Sequence, residues 1–125
     1  MNIPEDLLYT KEHEWLKNDD GKVTIGITDF AQSQLGDIIF LELPEAGQKI
    51  ISGESFGEIE AVKTVSELYS PINGTIIEIN ETLEDFPDNI NQDCYGVGWI
   101  VKVALDGDVD NDNLLNHQAY GSVIA

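Results

Sequence analysis

Gly57-Glu58-Ile59-Glu60-Ala61-Val62-Lys63-Thr64-Val65-Ser66-Glu67 sets one lysine between two short alternating segments. Alternating segments joined by a few residues read as the arms of a β-hairpin, with Lys63 at its tip. A tip lysine is the most reachable amine a small β protein offers. It is open to acylation and can then carry a tethered cofactor. Most tip lysines are instead solvated charges that keep strand edges apart, so the surrounding sequence has to decide between the two readings.

Working outward, Ser55 to Val62 and Thr64 to Tyr69 form the two arms. Pro71-Ile72-Asn73-Gly74 is a turn, followed by the strand Thr75 to Ile79. Upstream, Glu14 to Lys17, the turn Asn18-Asp19-Asp20-Gly21 and Lys22 to Ile27 read as a second hairpin, with Val23, Ile25 and Ile27 on one face. Thr28 or Asp29 caps a short helix over 28–35, and Gly36 supplies its left-handed stop. Asp37 to Leu43 returns to strand, and Pro44 to Gly47 is a turn. Residues 81–98 read as a long polar loop, and Trp99 to Ala104 as a last strand. A C-terminal helix is predicted over 110–123, capped by Asp110, Asn111 or Asp112, with Leu114, Leu115 and Ala119 on one side. Many short strands with two small helices indicate a β-sandwich or barrel.

The 125 residues are expected to form one domain, 1–125, large enough to bury a core. The net charge of −18 comes from 24 acids against six lysines, and arginine is absent. Such a balance argues against nucleic acid and anionic membranes and favours cationic or mixed-charge protein partners. A lone cysteine, Cys94, excludes an internal disulfide framework and a cysteine-based zinc site. No apolar run is long enough to span a bilayer as a helix. Met1 to Asp6 has neither signal-peptide nor transit-peptide character, so the chain reads as cytoplasmic.

The neighbours of Lys63 bear on the cofactor. Biotin carriers flank their lysine with methionines, and lipoyl domains of 2-oxo acid dehydrogenase complexes usually place aspartate before and alanine after it. Here the neighbours are Val62 and Thr64. Tyr9-Thr10-Lys11-Glu12-His13-Glu14-Trp15, Gly26 to Gln32, Leu35-Gly36-Asp37-Ile38 and Leu41 to Gly47 are a different set of motifs. They continue in Glu60-Ala61-Val62-Lys63 followed by Ser66, in Ser70 to Gly74, in Asn80 to Leu83, and in Asn89-Ile90-Asn91 with Tyr95 to Trp99. Along nearly its whole length the chain resembles the H proteins of the glycine cleavage system. Three positions depart from that pattern: Ala61 stands where serine is frequent, Cys94 where proline is usual and Val97 where a charged residue is common.

The resemblance implies a lipoyl carrier of the barrel-sandwich hybrid type, two small antiparallel sheets packed face to face, with lipoate amide-linked to Lys63. Glu60, Val62 and Ser66 would be read by the lipoylating enzyme, either a lipoate ligase or an octanoyl or lipoyl transferase. The partners implied are the P protein (glycine decarboxylase), the T protein (aminomethyltransferase) and the L protein (dihydrolipoamide dehydrogenase). A swinging arm would carry the aminomethyl group of glycine from P to T and present its dithiol to L, linking glycine catabolism to one-carbon metabolism. The carrier itself needs no catalytic residue or metal, and it is expected to be a monomer. The loaded arm ends in an amine, so an acidic cleft should shield it. Glu14 is the first candidate for that cleft, with Glu12 and Glu67 behind it. A relay donating lipoate to other lipoyl-dependent complexes would use the same Lys63.

The remaining chemistry-bearing residues have plainer readings. His13 reads as structural, beside Trp15. Trp15 and Trp99 read as packing residues, and Cys94 as a small side chain that could exchange with lipoyl sulfurs only if exposed. Asp106 to Asn113 imitates half of a calcium loop, but Asn111 and His117 stand where glycine and glutamate are required, so it reads as a solvated turn.

Overall fold

The computed structural model describes residues 2–107 and 113–125. Asp106 to Asn113 and the expected caps Asp110, Asn111 and Asp112 fall wholly or partly outside the described residues. The strands are β1 (Leu8–Tyr9), β2 (Glu14–Asp19), β3 (Lys22–Ile27), β4 (Ile38–Glu42), β5 (Lys49–Ile50), β6 (Ser55–Ala61), β7 (Val65–Tyr69), β8 (Gly74–Ile79) and β9 (Val101–Leu105). The helices are α1 (Asp29–Leu35), α2 (Thr82–Asp85), α3 (Asn89–Gln92) and α4 (His117–Ile124). Two antiparallel sheets result: six strands in the order β1-β2-β3-β9-β8-β5, and three in the order β4-β6-β7.

Local chemistry accounts for most of these boundaries. Asp20 (φ 55°) and Gly21 (φ 88°) both occupy the left-handed region, the two-residue turn whose twist matches a hairpin. Thr28 Oγ1 accepts from the Ala31 N–H at 3.2 Å and so caps α1. Gly36 (φ 76°) ends α1 by donating to the Gln32 carbonyl at 3.0 Å. The alternation in β3 puts Val23, Ile25 and Ile27 into the core, where they meet Ile59 and Leu68 of the smaller sheet and Val101 and Val103 of β9.

Two expectations need correction. The segment 81–98 is not a bare loop: it contains α2 and α3, each too short for a visible period. Their role is to drive Leu83 and Ile90 into the core. The C-terminal helix begins at His117, because Asn116 Oδ1 caps it through the Ala119 N–H at 2.8 Å. Leu115 lies outside the helix and exchanges two 2.8 Å backbone hydrogen bonds with Tyr9, which extends the strand pairing instead.

Trp15 lies flat on Gly26, its cross-strand neighbour, and its indole N–H donates to the Cys94 carbonyl at 3.0 Å. A Cβ on Gly26 would come within 2.7 Å of the indole ring. Gly26→Ala is therefore expected to destabilise the fold by about 1–3 kcal/mol through overpacking. The readout is a lower urea midpoint at unchanged slope.

Candidate functional site

The β6–β7 hairpin presents Lys63 on an exposed tip whose base is pinned in two ways. The Ala61 N–H donates to the Thr64 carbonyl at 2.8 Å, and the Val62 N–H donates to the Asp37 carbonyl at 3.1 Å. Ala61 is buried, so the arms are anchored, while Val62, Lys63, Thr64 and Val65 all face solvent. A reachable amine on a fixed base is what an acylating enzyme requires.

Register sorts the hairpin residues. Phe40, Glu60 and Val65 form one cross-strand row on the outer face, and Glu42, Glu58 and Glu67 form the next. Like charges directly opposite one another repel, so this second row favours a cationic partner. Glu60 and Val62 are exposed, whereas Ser66 is half-buried and lines a cleft on the other side.

That cleft, about 320 Å³, lies between α1, the segment before β2 and the smaller sheet. Phe30, Leu35, Ile59 and Leu68 give it apolar walls, and Glu12, Glu14 and Glu67 all border it. The three acids differ sharply in environment. Glu12 and Glu67 are exposed, while Glu14 is 2 % exposed. His13, between Glu12 and Glu14, takes a left-handed conformation (φ 69°) that breaks the alternation and turns Glu14 inward. Glu14 Oε1 accepts from Thr10 Oγ1 at 2.9 Å, and Oε2 accepts from the Tyr69 N–H at 3.2 Å. Burial pushes the Glu14 pKa up to about 8, and these two hydrogen bonds only partly oppose that shift. The phenol of Tyr69 donates to Glu67 Oε2 at 2.9 Å, so Tyr69 contacts both carboxylates.

The sequence does not single out His13 and Phe30, which line the cleft, or Thr10 and Tyr69, which hold the Glu14 carboxyl group. Only Thr10, four residues before Glu14, carried a local signal. His13 does not pack on Trp15 as expected. Its ring meets Phe30 at a centroid distance of 4.8 Å, and its Nδ1 is 2.9 Å from Tyr120 OH. Trp15 has Tyr95 as its aromatic neighbour instead, at 6.0 Å. Cys94 is buried, and burial pushes its thiol up to about 12, so it is a packing residue. Trp99 is half-buried beneath the Lys102 ammonium at 4.7 Å. Among the described residues no cluster of three or more His, Cys, Asp or Glu could hold a metal ion, and no helix is long and apolar enough to cross a membrane.

A double-sheet scaffold, an exposed lysine at the β6–β7 tip and an acid-lined apolar cleft beside that hairpin are the features of a small covalent-carrier protein. Comparison with known proteins specifies which. The family described as glycine cleavage H-protein matches residues 7–125. The glycine cleavage system H protein of Listeria monocytogenes serotype 4a (strain HCC23) is 53 % identical over 99 % of both chains. That of Geobacillus thermodenitrificans is 51 % identical over 99 % of this chain and 98 % of its own. The crystal structure of the H protein from Mycobacterium marinum superposes with a TM-score of 0.89 at 40 % identity, covering 96 % of this chain and 97 % of the other. The chain belongs to the glycine cleavage H-protein family, the lipoyl carriers of the glycine cleavage system.

Proposed function

We propose that this protein carries lipoate on Lys63. With it the protein moves the aminomethyl group of glycine from the P protein to the T protein, then offers the dithiol to the L protein. Residues 1–125 act as one carrier unit with no catalysis of their own. The observation that carries this reading is the exposed Lys63 on the hairpin beside an apolar cleft lined by the buried Glu14.

The residues present fit the group. When bound, lipoate supplies a disulfide that accepts the one-carbon cargo and, as the dithiol, yields two electrons. Ser66 on the cleft wall is three residues from Lys63, about 10 Å along an extended strand, and a lipoyl-lysine arm is longer than that. Phe30, Leu35, Ile59 and Leu68 suit its methylene chain, and Glu14 suits a cationic end. Glu12 and Glu67 border the mouth. Glu60, Val62 and Ser66 are the side chains that a lipoate ligase or octanoyl or lipoyl transferase meets around Lys63. The acidic outer row Glu42–Glu58–Glu67 is complementary to a lysine- or arginine-lined docking face on a partner enzyme. Tethering raises the local concentration of the arm at each docked partner.

Reconstitution tests the reading. Lipoylated protein mixed with P, T and L proteins, glycine, tetrahydrofolate and NAD is expected to give NADH, and unlipoylated protein none. Transfer of lipoate to acyltransferase subunits, without NADH formation, would assign the relay role instead.

A further inference from the structure

The hydrogen-bond chain that ends on His13 has a direction. Thr28 and Tyr120 are both 0 % exposed. Thr28 Oγ1 accepts from the Ala31 N–H and lies 2.7 Å from Tyr120 OH, and Tyr120 OH lies 2.9 Å from His13 Nδ1. The single hydroxyl proton of Thr28 is shut off from bulk solvent. Its acceptor among the described residues is the Tyr120 oxygen, so Thr28 donates to Tyr120. Tyr120 then gives its own proton to His13 Nδ1. A ring nitrogen that accepts carries no proton, so His13 is neutral and holds its proton on Nε2. The opposite direction would leave the buried Thr28 proton without an acceptor, which is unfavourable.

His13 lines the cleft, and one end of its ring is free. Among the described residues Nε2 has no protein partner, yet no buried side-chain nitrogen or oxygen lacks one. Nε2 therefore reaches accessible space, and His13 is one of the residues that line the cleft. The backbone is held on both sides: His13 N–H donates to the Thr10 carbonyl at 3.1 Å, and Thr28 N–H donates to the His13 carbonyl at 3.0 Å. Burial of the ring lowers its pKa, against the opposing pull of Glu12, which supports the neutral form.

We propose that His13 is a binding residue of the cleft: a neutral imidazole whose Nε2–H donates a hydrogen bond to an acceptor at the dithiol end of the docked arm. Tyr120 is the positioning residue that sets its tautomer. This rests on the reading of the cleft as the dock of the arm. His13 directly precedes Glu14, the group placed to meet the cargo ammonium, so the acceptor it meets is the neighbouring sulfur. The network also keeps a second cation away from that ammonium, since an imidazolium there would repel it.

Long-range proton–nitrogen correlation on the lipoylated protein at pH 7 tests this, with His13→Gln assigning the His13 signals against His117. The expected spectrum has a protonated-type Nε2 and an unprotonated Nδ1, and loading the arm with the aminomethyl group shifts the Nε2 signal. Tyr120→Phe is expected to mix the tautomers. His13→Ala is expected to speed loss of ammonia and formaldehyde from the loaded protein about threefold, as for one lost hydrogen bond. His13→Gln, which retains a neutral donor, should restore slow loss. An imidazolium, an Nδ1–H tautomer or an Nε2 signal indifferent to loading overturns the proposal. If loss is unchanged in Glu14→Gln as well, the cleft reading itself fails. If Glu14→Gln speeds loss while Nε2 stays indifferent, only the role of His13 fails.

Discussion

Lys63→Arg is expected to abolish lipoylation and glycine cleavage while leaving the fold intact. Intact mass of wild-type protein made in lipoate-replete cells should show one lipoyl increment, and peptide mapping should place it on Lys63. The arginine variant should show none, because its guanidinium stays protonated and is no acyl acceptor at physiological pH. Reconstituted NADH formation should then fall to background, since no other group on the chain takes the place of the arm. Stability should change by less than about 0.5 kcal/mol, as for exposed sites away from special features, because the Lys63 side chain is exposed and the tip is pinned by backbone bonds at Ala61 and Val62. Undiminished activity in a well-folded Lys63→Arg protein would reduce the chain to an acidic β protein that merely binds partners.

Glu14 should reveal itself through pH. Its ordinary pKa is 4.5, and burial raises it to about 8 in the folded protein. Between those values the folded state keeps a proton that the unfolded state has released. This contribution to stability is full below pH 4.5 and declines as pH rises toward 8, by about 1.4 kcal/mol per pH unit for one proton. Glu14→Gln cannot titrate, so its stability should fall less steeply between pH 5 and pH 8 than that of wild type. Rearranged hydrogen bonds to Thr10 and Tyr69 would add a constant offset, which leaves the difference in slope untouched. Denaturant melts of both proteins at the two pH values measure it, and parallel slopes would mean that Glu14 titrates normally.

The same proton bears on the cargo. An ammonium beside Glu14 favours its ionised form, so docking of the loaded arm near neutral pH should release a proton, and retention should strengthen as pH rises toward 8. Removing the carboxylate in Glu14→Ala deletes a charge-assisted contact. It is expected to speed loss of ammonia and formaldehyde about tenfold or more. Equal loss rates in variant and wild type would remove Glu14 from the cleft's function.

The features legible in the sequence are those fixed by a few neighbouring residues. The alternation around Lys63 and in β3, the Asp20–Gly21 turn, the Thr28 cap and the Gly36 stop each act through local dihedrals and short-range hydrogen bonds, so they survive translation into the fold. The α4 start is not legible in the sequence because Asn116 caps as well as the residues before it, and the Tyr9–Leu115 pairing that favours the later start joins residues far apart in sequence. The helices α2 and α3 are not legible in the sequence because four residues carry no period, and only the distant core rewards Leu83 and Ile90.

The sequence by itself thus determined the hairpin with Lys63 at its tip and, through ordered motifs from Tyr9 to Trp99, the family. It also named Glu12, Glu14 and Glu67 without distinguishing their environments. The tertiary structure alone decided that Glu14 is buried and the other two are not, that Tyr69 contacts both Glu14 and Glu67, and that Thr28, Tyr120 and His13 form one directed chain. Burial and proton placement depend on which distant groups share a dry space, and residues 13, 28 and 120 meet only once β3, α1 and α4 have packed.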